Sequence, residues 1–244
     1  MKYAILGDLH ANRSALEAVL ASIEPHGVDT ILSVGDLVGY GPSPREVIDL
    51  VREAGIVAVR GRHDEACAGL LEPTFFTESG RRAALWTRDL LSEGDRNYLR
   101  SLPLTRDLEG CSLAYSTYAQ PGEARTITTL RDAEPCLEAI PYRVAFVGQT
   151  HVPLAMVRER AAPHRASLSA SSDLDLLDVH RALINPGSVG QPRDEDPRAP
   201  FGLFDTETLR YRLLRCEYDV ERERRRFERA GVPSFLGERL ALGV

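Results

Sequence analysis

Through the first sixty residues, short apolar runs alternate with stretches in which apolar positions recur every three or four residues. "YAILGD" reads as a buried strand, and residues 12–24 follow with Leu16, Val19, Leu20 and Ile23 at helical spacing. "TILSVGD" repeats the strand pattern, residues 44–54 the helical one, and "IVAVRG" gives a third strand. This βαβαβ rhythm predicts a parallel sheet with right-handed crossovers. Residues 79–101 read as a helix with Trp86 on its buried side; then come the strand "CSLAYS", a helix over 128–139 and the strand "RVAFVG".

Beyond residue 151 the period changes. "PLAMVRER", "ASLSAS", "RALINPG", "FGLFD" and "LRYRLLRCEY" read as strands parted by turn residues, which predicts a mainly antiparallel C-terminal half. Residues 219–230, "DVERERRRFERA", form a charged helix stopped by Gly231 and Pro233. Its arginines suit a solvated face, with Glu221 and Arg225 at i,i+4 spacing, better than a phosphate patch. No repeat, low-complexity tract or long linker interrupts the chain, so one domain over residues 1–244 is expected.

Composition narrows the class of function. The 30 Lys+Arg residues against 36 Asp+Glu leave a formal charge of −6, which argues against a nucleic-acid partner held by a basic surface. With 43% hydrophobic and 27% charged residues, the chain matches a soluble globular protein. Cys67, Cys111, Cys136 and Cys216 lie far apart without a C-x-x-C pair, the pattern of reduced thiols rather than a zinc knuckle or disulfide framework. Asp8 comes too early for a signal peptide, and no apolar run reaches the roughly 18–20 residues that span a bilayer. A cytoplasmic location without a membrane partner is the expectation.

The candidate chemistry lies at strand ends, where open α/β sheets collect their ligands. The first strand ends in "GDLH", placing Asp8 and His10 two residues apart and, if extended, on one side of the backbone. The second ends in "GDLVGYGP" with Asp36, the third in "GRHD" with His63 and Asp64, and "RVAFVG" runs into "QTH" with His151. One such Asp is an ordinary helix cap and one such His an ordinary hydrogen-bonded residue. Four in succession point to a metal centre, and two carboxylates with two imidazoles suit Mn, Fe, Zn, Ni or Co.

In this order, "GDLH", "GDLVGYGP", "GRHD" and "GQTHVP", followed by "INPGSVGQPRDEDPRA" at 184–199, the chain resembles the calcineurin-like metallophosphoesterase superfamily, in its compact bacterial and archaeal form. The resemblance covers nearly the whole chain. It implies an α/β four-layer αββα sandwich and hydrolysis of a phosphate ester between two metals roughly 3.5 Å apart. It also implies that Asp8, His10, Asp36 and His151 hold the first metal, with Asp36 as the bridge. His63 would then act near the leaving group, with Asp64 following it in the motif.

The second metal is where the chain departs from that pattern. Arg62 replaces the motif's asparagine, Gln149 its first G-H-T-H histidine, and Ser116, give or take a residue, its lone histidine. An arginine offers no lone pair and repels a cation. One transition metal per chain is therefore expected, from Mn, Fe, Zn or Ni, and two readings stay open. In one, the Arg62 guanidinium takes over the second metal's charge and binds a phosphate oxygen, giving a one-metal phosphoesterase for a small phosphorylated substrate. In the other, the protein is catalytically inactive and binds a metal, phosphate or nucleotide in a regulatory role. Tyr40, Asn185 and Ser188 are candidate pocket-lining residues, turn geometry being the competing explanation, while His26, His164 and His180 match no ligand of the motif set.

Overall fold

The β–α alternation of the N-terminal half is present in the computed structural model, which describes residues 1–123 and 125–244. Strand β1 (Lys2–Leu6) leads to α1 (Arg13–Ile23), β2 (Thr30–Ser33) to α2 (Pro44–Glu53), and β3 (Val57–Ala58) to the short α3 (Arg62–Cys67). Local chemistry sets these boundaries. The Asn12 side chain accepts the Ala15 N–H at 3.0 Å to open α1, and Pro44 occupies the first turn of α2, where an N–H would be idle anyway.

The 79–101 stretch, expected as one helix, is two: α4 (Glu78–Leu90) and α5 (Glu93–Ser101). Leu91 turns extended, and Ser92 opens α5 with Asp95 in a reciprocal capping box, the Ser92 Oγ and N both donating to the Asp95 carboxylate at 2.6 and 3.0 Å. Trp86 is half-buried against the C-terminal segment. The remaining elements are β4 (Thr105–Leu108), β5 (Cys111–Ala114), α6 (Leu130–Ala139), β6 (Val144–Phe146), β7 (Leu154–Glu159), β8 (Ala166–Ser169) and β9 (Asp173–Asp175). After them come β10 (Val179–Asn185), β11 (Ala199–Asp205), β12 (Arg210–Cys216), α7 (Val220–Ala230) and α8 (Phe235–Glu238).

The strands form two six-stranded mixed sheets, ordered β3-β2-β1-β11-β12-β9 and β4-β5-β6-β10-β7-β8. The N-terminal strands pair in parallel and β11, β12 and β9 antiparallel, as expected; β10, however, inserts parallel to β6. Period-2 alternation decides what each sheet buries. Tyr3, Ile5 and Leu32 meet Leu113, Phe146 and Ile184 between the sheets, and the Phe146 ring lies 5.5 Å from Phe204. Alternate positions Ala4 and Leu6 face Leu16, Val19 and Ile48 of the helices outside the first sheet, while Ala145 and Leu183 face Ala133 and Leu137 of α6 outside the second. The result is the αββα sandwich.

Helix α7 packs on α1 through Glu223, a fully buried carboxylate that accepts the Ser14 N–H at 3.2 Å and the Arg226 guanidinium at 2.8 Å. The rest of its charge is largely solvated, Glu221 pairing with Arg224 at 2.7 Å rather than with Arg225. Beyond it, Phe227, Val232, Leu236 and Leu240 form a small core with Ala83, and Tyr40 packs against that core. No helix among the described residues is long and apolar enough to cross a membrane. Cys67, Cys111 and Cys136 are buried free thiols and Cys216 is half-buried; His26, His164 and His180 are exposed.

Candidate metal centre

The two sheets bring the ends of β1, β2 and β6 to one edge, and there Asp8, His10 and His151 converge. One donor atom from each lies within 4.8 Å of the other two, all buried. His10 Nε2 and His151 Nε2 stand 3.0 Å apart. Each ring is oriented from behind: His10 Nδ1 donates to the Val38 carbonyl at 3.3 Å and His151 Nδ1 to the Gln191 carbonyl at 2.7 Å. A carbonyl only accepts, so both Nδ1 atoms carry the proton and two Nε2 lone pairs face one point. Opposed lone pairs at that distance repel unless a cation lies between them. The donor set therefore fits a borderline transition metal.

Asp36 completes the set from β2. Its Oδ2 lies 3.7 Å from His10 Nε2, and its Oδ1 accepts the His63 N–H at 2.8 Å. Asp8 is held by the Gln149 N–H at 3.0 Å, and Gly148 keeps clear of it, since a Cβ there would lie 2.8 Å from Asp8 Oδ2. Burial, with no cation counted, sets the acid–base state. It raises Asp8 to about 7 and Asp36 well above the carboxylate range, the latter with help from Asp64 and Asp8. It pushes His10 and His151 well below the imidazole range, with His151 acting further on His10 and Arg193 on His151. Both histidines are thus neutral, the form that ligates.

The backbone at these positions is unusual. Asp8, His10, Asp36 and His151 all have positive φ, at 37°, 44°, 49° and 62°. For non-glycine residues this left-handed region costs on the order of 1–3 kcal/mol each, and such strain gathers at sites where side-chain direction matters more than local comfort.

The structure distributes the other expected residues unevenly. His63 sits in a ring cluster, 5.0 Å from His10, 4.3 Å from Tyr40 and 4.3 Å from Phe76, and its buried Nδ1 has no protein partner. Burial first, then Arg193, lowers it to about 3. Asp64 is fully buried and accepts the Gly61 N–H at 2.9 Å and the Val38 N–H at 3.1 Å. Asn185 lines a cavity with Val147 and Thr150, and both Asn185 and Ser188 fasten loops. Asn185 Nδ2 donates to the Gly148 carbonyl at 2.8 Å and to Thr150 Oγ1 at 2.9 Å, while Ser188 Oγ donates to the Asp8 carbonyl at 2.8 Å. Tyr40 does face the centre, 4.7 Å from His10 edge-on.

Among the described residues, Asp8, His10 and His151 are the one cluster of three metal-type ligands, and the positions where the motif places a second metal's donors hold other side chains. Arg62 bonds Glu65 at 3.2 Å instead of standing free. The side chain that reaches Asp36 from the β5 end is Tyr115, whose hydroxyl donates to Asp36 Oδ2 at 2.7 Å; Ser116 Oγ is buried without a partner. The Tyr115 phenol is pushed well above its ordinary value by burial and by Asp36, so it remains a donor. Gln149 contributes its backbone N–H to Asp8. The arginine and the protonated phenol bring no donor to a second divalent ion, which leaves the Gln149 amide oxygen as a poor set by itself.

The sequence reading missed Tyr115, and also Arg193. Arg193 Cζ lies 5.8 Å from the Tyr40 ring centre, and its charge acts on His10, His63, His151 and Asp8. Its place just after "NPGSVGQP" was the available signal.

Two mixed sheets that bring Asp8, His10, Asp36 and His151 together from the ends of β1, β2 and β6 are the arrangement of a metallophosphoesterase. The profile of the calcineurin-like phosphoesterase superfamily domain matches residues 1–209, and the chain belongs to that superfamily. It is 32% identical over 244 residues to "Uncharacterized protein MJ0912" of Methanocaldococcus jannaschii, covering 98% of this chain and 97% of that one. A solved metallophosphoesterase from Sphaerobacter thermophilus is 38% identical, with a TM-score of 0.85 over 100% of this chain and 99% of its own. The hypothetical protein PH1004 from Pyrococcus horikoshii OT3 shares the fold at 22% identity, with a TM-score of 0.79 over 100% and 98% of the two chains. The family uses divalent metals, and the triad of Asp8, His10 and His151 is a candidate site for one.

Proposed function

We propose that the protein is a one-metal phosphoesterase, hydrolysing a small phosphate ester at the centre built by Asp8, His10, Asp36 and His151. The carrying observation is the pair of Nε2 lone pairs 3.0 Å apart, flanked by two buried carboxylates. A divalent ion held there would supply Lewis-acid activation of a phosphoryl oxygen and of a water. The residues around it have separate tasks. Tyr115 and the His63 backbone N–H fix the Asp36 carboxylate through its two oxygens. Asp64 ties the 61–63 turn to the loop after Asp36, which keeps His63 beside His10 and Tyr40. His63, neutral at pH 7, offers a ring nitrogen to the phosphoryl group or its leaving oxygen.

The test combines metal counting with turnover. Protein purified without added metal, then loaded with Mn, Fe, Zn or Ni, should hold one ion per chain by elemental analysis. It should also hydrolyse p-nitrophenyl phosphate or its bis-ester, with Asp36→Asn and His151→Ala losing both properties. Two tightly held ions, or hydrolysis insensitive to chelation, would overturn the reading. The departures at Arg62, Gln149 and Tyr115 favour one alternative, a non-catalytic metal- and phosphate-binding regulator. Stoichiometric binding of metal and phosphate without turnover would select it.

A further inference from the structure

The layer between α6 and the second sheet does not close completely. Val147, Met156 and Leu183 belong to the core that this layer shares with Ala133 and Leu137 of α6. Towards the carboxyl end of β6 these three side chains join Ile127, Val152 and Leu154 around a cavity of about 220 Å³. Its mouth is at the surface, where Thr128 and Val152 are exposed. An apolar cavity of roughly 150 Å³ is already large enough to take up benzene, and water gains little from walls of this kind.

The polar groups on the wall are already engaged. Asn185 Nδ2 serves the Gly148 carbonyl and Thr150 Oγ1, and its Oδ1 accepts the Gly187 N–H at 2.8 Å. Thr150 Oγ1 also accepts the Val152 N–H at 3.3 Å. The N–H and Oγ1 of Thr128 both donate to Asp132, at 3.3 and 3.4 Å, inside the cap that opens α6. No charged side chain among the described residues lines the cavity. A phosphate or any other ion entering it would lose its hydration and find no partner, whereas an apolar molecule leaves water at no such cost. The chemistry of the wall therefore differs from that of the metal centre.

One wall is shared between the two sites. Over residues 147–152, Val147, Thr150 and Val152 line the cavity. In the same loop the Gln149 N–H holds Asp8 at 3.0 Å, and His151 aims its Nε2 at His10 Nε2, 3.0 Å away. Gln149 and His151 reach these positions through left-handed backbone, φ 74° and 62°, and Asn185 ties the loop at Gly148 and Thr150 from the cavity side. We infer that this cavity is a second binding site, for a small neutral apolar molecule of one or two rings, and that its occupant tightens metal binding by bracing the 148–151 loop. The loop arrangement that packs against the occupant is the one that places two metal ligands. Two ligands that favour one arrangement strengthen each other by the same factor. The inference is independent of the phosphoesterase reading, since it needs no turnover.

The experiment uses indole as the probe and the full chain, free of metal and loaded with Mn. Calorimetry should show one indole bound per chain with a Kd of about 1 mM or tighter. Mn should raise indole affinity by about fivefold or more, and saturating indole should raise Mn affinity by the same factor, read by competition against a chromophoric chelator. Thr128→Trp at the exposed mouth and Met156→Phe on β7 fill the cavity from different elements. Each should weaken indole by about tenfold or more while melting cooperatively and keeping Mn. Thr128 is exposed, so that variant carries the test should Met156→Phe fail to fold. Failure of the wild type to bind indole, or undiminished binding in the folded filled variants, would overturn the site. Displacement of indole by inorganic phosphate would overturn it too, by putting the probe at the metal centre. Indole affinity equal with and without Mn, or no Mn binding at all, would overturn the coupling.

Discussion

Replacing Tyr115 by Phe removes one oxygen from a fully packed site, which makes the consequence calculable. The hydroxyl donates to Asp36 Oδ2 at 2.7 Å, and both groups are buried. A hydrogen bond to a charged acceptor contributes about 1.5–3 kcal/mol, and Phe leaves no hole because only the oxygen goes. The metal-loaded form, in which Asp36 is ionised, should therefore lose about that much. For a chain of this size each kcal/mol moves Tm by roughly 2–4 °C, so the loaded protein should melt roughly 3–12 °C lower. Loss of an orienting partner behind a ligand carboxylate also weakens metal binding by about 10–100-fold. Without metal, burial raises Asp36 well above the carboxylate range, so the bond keeps less charge assistance and the melting shift should be smaller. Melting curves with and without metal, plus competition against a chromophoric chelator, read all three quantities. Equal shifts in both states, or unchanged metal affinity, would refute the view that Tyr115 stands where a second ion's bond to Asp36 would fall. The same contact bears on rebuilding a two-metal site: Arg62→Asn, Gln149→His and Ser116→His together should still fail to add an ion until Tyr115→Phe is included, as elemental analysis will show.

Three further outcomes are expected. Gly61→Ala would place a Cβ 2.1 Å from Asp36 Oδ1, so it should cost about 1–3 kcal/mol in denaturant unfolding and abolish tight metal binding, whereas Gly122→Ala, which meets nothing within 4 Å, should do neither. Asn185→Ala removes donors to Gly148 and Thr150 and an acceptor for Gly187; unfolding free energy should fall by about 1–3 kcal/mol and hydrolysis should fall with the loosened 148–151 loop. Asp196 is held down to about 2 by Arg198, with Arg215 adding to the effect, and a carboxylate lowered on folding stabilises the native state above its ordinary range near 4. That contribution, about 1 kcal/mol at most for a partly exposed group, should disappear as pH falls from 4 to 2, and Asp196→Asn should flatten the Tm-versus-pH curve in that window.

What the sequence could reveal followed the range of the interaction. Asp8, His10, Asp36, His63 and His151 were legible because each sits just past a recognisable strand, and a strand end is a local feature. The break at Leu91 was also local: "SEGD" is a capping box, and helical spacing over 79–101 masked it. Tyr115 could not be read, because its neighbour Ser116 occupies the motif position. Which of the two reaches Asp36 depends on how the second sheet faces the first. Arg193 carried one mark, its place just after "NPGSVGQP", but its neighbours His151 and Tyr40 belong to segments far along the chain. That Asp64 accepts N–H groups from both Gly61 and Val38 was beyond the sequence, because Val38 comes from the loop after a different strand.

The positive φ values carry a practical consequence. Of the nine non-glycine residues with left-handed backbone among the described residues, seven are Asp8, His10, Ala11, Asp36, Tyr40, Gln149 and His151. Glycine relieves that strain, so heat-based selection on random libraries of this gene will favour glycine wherever the lost side chain makes no strong contact in the metal-free protein. At Ala11 such a change is harmless chemistry. At Asp8 or His151 it trades a ligand for a more comfortable backbone. Survivors of a thermal screen should therefore be enriched in proteins that fold better and bind less, and a screen that keeps metal present throughout will select the opposite population.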